Sequence, residues 1–311
     1  MPNMCNHHGD DPYAGFMQEL LDAKLLISSG VKGVYGRSGT FESIIEGFDN
    51  LVTAAGADKQ PEVIRFPPIF NRKHYLDNDH IETMPDLLGS VHSYMGDERT
   101  HRKMLEKVHA NDPEWTDFLE ATEVMMAPAA CYPLYPTVTG TLPEGGRLFD
   151  LQSFVFRHEP SDDPSRMQIF RMHEYVRIGS PEEAIEHRAY WLEKGQQILR
   201  SVGLDVEAEV ANDPFFGRGG KVMKASQKEQ ELKFELVYPI CREDKPTAIA
   251  SCNCHLDHFG LTYDIRQANG DVAHSSCVGF GLERIALALL KTHGINSAEW
   301  PAEIKHILNI V

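Results

Sequence analysis

The chain has 311 residues, 42% hydrophobic and 24% charged, the make-up of a globular protein long enough to bury a sizeable core in one large domain or two modest ones. A formal charge of −16, with no dense run of Lys and Arg, works against nucleic acid as the main partner, because such binders carry a basic face that displaces counterions from phosphate. No stretch of about 18 uncharged apolar residues is present and the opening MPNMCNHHGDDPYAG has no apolar signal region, so no membrane partner is expected and the expected location is the cytoplasm.

In chain order, residues 1–12 read as a flexible tail, and 13–311 as a single catalytic domain. Residues 14–28 carry apolar positions at helical spacing, broken by Gly30 and Gly33. TFESIIEGFDNLVTAA (40–55) predicts a helix, with Thr40 as its cap and Gly56 at its end. EVIRFPPIF (62–70) predicts a strand, which Pro67 and Pro68 confine to an edge or an interface. Residues 82–126 are mostly helical in pattern, and the Pro- and Thr-rich stretch 130–140 is a loop. Strands at 151–157 and 168–178 flank the polar loop HEPSDDPSR and so predict a hairpin. A helix over 181–202 has Ser180 as its cap and Pro181 in its first turn. Strands are expected near 206–210, 231–240, 247–253 and 259–266, and a last clear helix over 281–291. Neighbouring strands closed by a packing helix argue for a mainly antiparallel sheet in an α+β domain.

The hairpin concentrates chemistry. Alternate residues of a strand share a face, so Arg157 and Glu159 point one way, as do Arg166, Phe170 and Glu174 if their strand is regular. Guanidinium forks match phosphate oxygens, a ring stacks on a base, and a carboxylate accepts from an exocyclic amine. Alone, the pattern also describes a solvated hairpin with cross-strand ion pairs. GFGLERIALALLK (279–291) places two glycines before a helix with Arg284 in its first turn. It lacks the strand and third glycine of a dinucleotide fingerprint. Cys131, Glu174 and Cys277 flank the same region. Two thiols and a carboxylate are acceptable zinc ligands, and three protein ligands leave a fourth position open, as in catalytic sites. Cys252 and Cys254 share a strand face and read as packing. Cys5, His7 and His8 form a metal-like cluster in what reads as a tail. The six cysteines of this chain are expected as buried thiols or metal ligands rather than disulfides.

Taken together and in this order, these elements resemble motifs 1, 2 and 3 of class II aminoacyl-tRNA synthetases, with the helix 40–55 and EVIRFPPIF as the dimer-interface motif. The resemblance implies a class II synthetase-like antiparallel sheet flanked by helices, and a homodimer. It implies ATP as substrate with Mg²⁺: Arg157 on the α-phosphate, Glu159 on the adenine amine, Phe170 under adenine opposite Arg284, and Arg166 and Arg284 on the γ-phosphate and departing pyrophosphate. A Cys/Glu/Cys zinc site beside those motifs is similar to that of the atypical, methanogenic-type seryl-tRNA synthetases, in which the metal takes the substrate's amino group. With motif 1 beginning near residue 40, no large N-terminal tRNA-binding extension is expected, and tRNA is not the expected partner. The chain therefore resembles the amino acid:[carrier protein] ligases, truncated relatives that load a small amino acid onto the phosphopantetheine thiol of a carrier protein. By that resemblance Cys131, Glu174 and Cys277 hold Zn²⁺. Ser251, Asn253, Asp257 and His258 fall where synthetases line the ribose and amino-acid site, with His258 also readable as a core histidine. The family preference implies glycine, with alanine next.

Overall fold

The computed structural model describes residues 12–213, 221, 225, 227–228 and 230–310. Cys5, His7, His8 and the expected tail up to residue 11 lie outside the described residues, and Pro12 already opens a helix, Pro12–Asp22. Seven strands form the main sheet: β1 (Glu62–Ile64), β2 (Arg147–Phe156), β3 (Ile169–Gly179), β4 (Glu207–Val210), β5 (Lys233–Tyr238), β6 (Thr247–Leu256) and β7 (His274–Gly281). Their order is β4-β5-β6-β7-β3-β2-β1. Every pairing is antiparallel except that of β1 with β2. This is the expected α+β architecture.

Strand alternation gives the sheet two different faces. Odd residues of β3 face three helices: α1 (Gly39–Gly56), α2 (Pro181–Ser201) and α3 (Leu282–His293). Tyr175 stacks on Trp191 of α2 at 4.4 Å between centroids, and Phe280 of β7 meets the same indole at 6.1 Å. A Cβ on Gly56 would sit 2.3 Å from the Tyr175 ring, so the end of α1 lies against the sheet only as glycine. The even residues Phe170, Met172 and Glu174 face the other side, where the large cavity opens.

Several local expectations give way to tertiary structure. The helical pattern of 14–28 stops at Asp22, and Leu26–Ser28 pairs with Tyr35–Arg37 instead. Gly30 and Gly33 take φ values of +82° and +77° in the connection, which only glycine adopts freely. The α1 cap is Ser38 rather than Thr40; its Oγ accepts from the Phe41 amide at 3.2 Å. The single strand expected over 62–70 is two. Pro67 and Pro68 lack the N–H a ladder needs, so Glu62–Ile64 joins the main sheet and Ile69–Asn71 starts another. That second sheet takes Ser90–Tyr94 and Leu119–Met126 from the stretch expected to be helical, of which Glu98–His109 does form a helix. Strand pairing there overrides the helix preference of Leu, Glu, Ala and Met. Residues 259–266 are a short helix, His258–Thr262, followed by Ile265–Arg266. The expected helix at 181–202 forms with Ser180 as cap in a full capping box. No described helix is long and apolar enough to cross a membrane.

One buried charge cluster ties these layers together. Glu283, at the start of α3, accepts from the Arg171 amide at 2.6 Å and from Arg171 Nε at 3.0 Å. It also pairs with Arg37 at 3.1 Å. Arg171 turns its other two nitrogens onto Glu42 of α1, at 2.6 and 2.9 Å. Removing one member of a buried charge cluster leaves the rest uncompensated, at about 3–5 kcal/mol. Glu283→Ala is therefore expected to lower the unfolding free energy by about that amount in urea titrations. An unchanged midpoint and slope would contradict the assignment.

Candidate active site

The cavity on the open face of the sheet has a volume of about 1030 Å³, at the upper end of the range for small-molecule sites. It gathers Arg157, Glu159, Arg166, Phe170, Glu174 and Arg284, together with Cys131, Ser251, Asn253, His258 and Cys277. Asp257 is not among its lining residues, and instead precedes the helix His258–Thr262. His258 is surface-exposed at the cavity's edge, so its reading as a core histidine fails.

The charged half is built by the two ends of the β2–β3 hairpin. Arg157 and Glu159 lie just past β2, and Arg166 lies in the connection before β3 rather than on a regular strand. Arg157 is anchored by donating from Nε to the Pro128 carbonyl at 3.0 Å. Arg284 is anchored by donating to the carbonyls of Ser165 at 2.8 Å and Ala248 at 2.9 Å. Their guanidinium carbons sit 5.5 and 5.7 Å from the centre of the Phe170 ring. A base held between ring and guanidinium needs about 7 Å, two contact distances. The 5.7 Å between Phe170 and Arg284 is too short for a flat group to lie between them without Arg284 shifting. Arg166 pairs with Glu159 at 3.3 Å. Burial, and then the like charges of Arg157 and Arg166, bring the Arg284 guanidinium down to about 10. It remains charged at neutral pH, so three guanidinium groups converge on one cavity and favour a polyanion.

The other half is a buried donor set. Glu174 on β3 faces Gly279 of β7, and Cys277 lies two residues before that glycine. Cys131 comes from the loop after the strand Leu119–Met126. The donor atoms of Cys131, Glu174 and Cys277 lie within 4.8 Å of one another, and all three residues are buried. Glu174 Oε1 accepts from the Ala130 amide at 2.8 Å, while Oε2 is buried with no hydrogen-bond partner among the described residues. Burial, and then the neighbouring Cys277, push the Glu174 carboxyl up to about 7. Two thiols and a carboxylate crowded into a buried site, with one oxygen orphaned, fit a dication such as zinc. Met172 Cε would lie 2.9 Å from a Cβ on Gly279, so the absent side chain there makes room for the Met172 methyl.

His255 was not expected and belongs here. Its Nε2 lies 3.5 Å from Cys277 Sγ, and its Nδ1 lies 3.0 Å from Ser275 Oγ. The Asn253 amide donates to the same sulfur at 3.5 Å. Ser251, Asn253 and His255 are successive alternate residues of β6, and that period of two was the available signal. Cys252 packs beneath the sheet and Cys254 is also buried, and neither joins the donor set. None of the described cysteines is joined in a disulfide.

No protein-family model matches the chain. It is 42% identical over 289 residues to amino acid–acyl-carrier-protein ligase 1 of Bradyrhizobium diazoefficiens, covering 92% of this chain and 88% of that protein. It is 40% identical over 303 residues to ligase 2 of the same organism, covering 96% and 89%. The chain belongs to the amino acid–acyl-carrier-protein ligase family. It is a ligase with the class II synthetase fold. Among solved structures, the M. kandleri SerRS in complex with A. aeolicus tRNASec superposes with a TM-score of 0.80 at 18% identity, covering 99% of this chain and 62% of that one.

Two variants test the donor set. Cys131→Ala is expected to lose stoichiometric zinc by elemental analysis, and full zinc content would show the ligand set to be wrong. His255→Ala, which removes a partner behind Cys277, is expected to weaken zinc retention about 10-fold against a competing chelator. Wild-type retention would deny His255 that role.

Proposed function

We propose that residues 13–311 act as one catalytic domain that activates a small amino acid with ATP and transfers it to the phosphopantetheine thiol of a carrier protein. Glycine is the favoured substrate and alanine the next. The observation that carries this reading is the juxtaposition, in one cavity, of three converging guanidinium groups and a buried Cys/Glu/Cys donor set. The names of the Bradyrhizobium relatives support the acceptor.

In the first half-reaction the substrate carboxylate attacks the α-phosphorus of ATP. The new O–P bond forms as the bond to pyrophosphate breaks, and Arg157 stabilises the charge that develops there. Glu159 reads the adenine amine and Phe170 carries the base. Arg166 and Arg284 hold the γ-phosphate and the leaving pyrophosphate, and Mg²⁺ enters with the nucleotide. Zinc held by Cys131, Glu174 and Cys277 supplies a Lewis-acid position for the substrate's amino group. Ser251, Asn253 and His258 line the cavity and border the ribose and amino-acid end; Asp257 is assigned there by family resemblance alone. Tyr132, His255 and Phe259 pack in aromatic contact beside the donor set, which supports a small side chain. In the second half-reaction the carrier's sulfur attacks the acyl carbon. A C–S bond forms, the C–O bond to phosphate breaks, AMP leaves, and the thiol proton passes to solvent.

Exposed Val63 on the edge strand β1 supports a homodimer across that edge. Free thiols and ATP use support a cytoplasmic setting.

Arg157→Ala is expected to lower adenylate formation by about 100-fold or more while zinc content stays at the wild-type level. Undiminished adenylate formation would remove Arg157 from the chemistry. For the acceptor, mass spectrometry of a phosphopantetheinylated carrier protein incubated with enzyme, ATP and glycine should show one added glycyl group. Charging of tRNA in place of the carrier would overturn the reading.

A further inference from the structure

One wall of the cavity, built by residues 75–83, has no part in the activation chemistry described. Asn78 and His80 line it. They are 7% and 1% exposed, and Tyr75 behind them is fully buried. Both ring nitrogens of His80, the Asn78 amide nitrogen and the Tyr75 hydroxyl have no hydrogen-bond partner among the described residues. These are four of ten such side-chain atoms, drawn from six consecutive positions. Leaving a buried polar atom without a partner is unfavourable, so a concentration of this kind calls for an explanation.

The side chains are also held in place. Asn78 Oδ1 accepts from the Tyr263 hydroxyl at 3.1 Å, which directs the amide nitrogen away from that contact. The His80 ring is held edge-on by Tyr75 at 4.7 Å and Tyr132 at 5.7 Å. Tyr132 follows Cys131, so the wall adjoins the donor set.

The chemistry of the wall selects its ligand. Burial, and then the nearby charge of Arg157, bring the His80 imidazole down to about 4, so it is neutral in the physiological range. A neutral imidazole offers one donor and one acceptor, the Asn78 amide nitrogen two donors, and the Tyr75 hydroxyl one of each. Asn78 and His80 thus present donors and acceptors without formal charge, while Asp79 between them also lines the cavity and Tyr75 stays behind it. Phosphates and carboxylates are served by the guanidinium groups of Arg157, Arg166 and Arg284 in the same cavity. The complement of this wall is an uncharged chain bearing amide groups.

We propose that Asn78 and His80 form an acceptor subsite that hydrogen-bonds the amide groups of a flexible, thiol-bearing chain and leads its sulfur to the aminoacyl-adenylate. The proposal rests on the carrier-thiol reading of the same cavity. It assigns the wall to the second half-reaction and leaves amino-acid activation independent of it.

The test separates the half-reactions in zinc-loaded full-length protein. His80→Leu keeps the bulk of the ring and removes its hydrogen bonds; Asn78→Ala removes the amide; His80→Gln keeps a donor and an acceptor. Glycine-dependent ATP–pyrophosphate exchange is measured for each, followed by single-turnover transfer from preformed adenylate to D-pantetheine and to a phosphopantetheinylated carrier protein. His80→Leu and Asn78→Ala are expected to exchange with a wild-type KM for glycine, which also certifies their folding, and to transfer about 10-fold more slowly to both acceptors. His80→Gln should recover part of the transfer rate. Transfer at the wild-type rate in both variants overturns the subsite. A KM for glycine that rises in step with the transfer defect also overturns it and assigns the wall to the amino acid. If the wild-type protein activates glycine but transfers it to no thiol acceptor, the carrier reading fails and takes the subsite with it. If wild type transfers and the variants keep pace, the subsite alone fails.

Discussion

The buried cluster of Glu283, Arg171, Arg37 and Glu42 fixes where the reactive groups stand. Glu283 accepts from both the backbone and the side chain of Arg171, which locks the start of α3 to β3. Arg284 is the next residue in α3, and Phe170 the preceding residue in β3. The two groups that meet in the cavity are therefore each one residue from a buried ion pair on the opposite face of the sheet. Arg171 also chelates Glu42, which brings α1 into the same frame. Such a cluster is weak evidence for net stability, because desolvation offsets much of the attraction. What it supplies is register: a one-residue slip of β3 would turn Phe170 and Glu174 into the helical layer.

The same sheet carries two chemistries that have to be kept apart. The guanidinium groups favour anions, while the Cys/Glu/Cys set is rich in electron pairs and favours a cation. Gly279 sits between them on β7, opposite Glu174, and its missing side chain makes room for the Met172 methyl. A substrate with an amine at one end and a carboxylate at the other can bridge the two halves, the amine toward the donor set and the carboxylate toward the nucleotide. Positioning and charge stabilisation then supply the catalysis, with no nucleophile from the protein required.

Much of this was legible in the residues. The hairpin's alternation put Phe170 and Glu174 on one face, and GFGLER set Arg284 at a helix start. Local signals could not reveal β7, because a strand buried on both faces carries no alternation, and its glycines and serines read as loop. The second sheet stayed hidden because its central strand, Leu119–Met126, is rich in helix-favouring residues that pairing overrides. Asn78 and His80 come from a segment that reaches the cavity only through tertiary packing. Arg37 and Glu42, Arg171 and Glu283 come from three distant stretches of the chain, and nothing local marks them as partners. His255 was within reach, two residues beyond Asn253 on the same strand. Asp257 was placed by family position alone; it does not line the cavity and precedes the helix His258–Thr262.

The measurement that bears most directly on this account is amino-acid-dependent ATP–pyrophosphate exchange across all twenty amino acids, on protein of known zinc content. The account predicts strong exchange with glycine, weaker exchange with alanine, and little with larger side chains. Absence of exchange with every amino acid, on folded and zinc-loaded protein, would contradict it and would make the cavity a binding module rather than an active site.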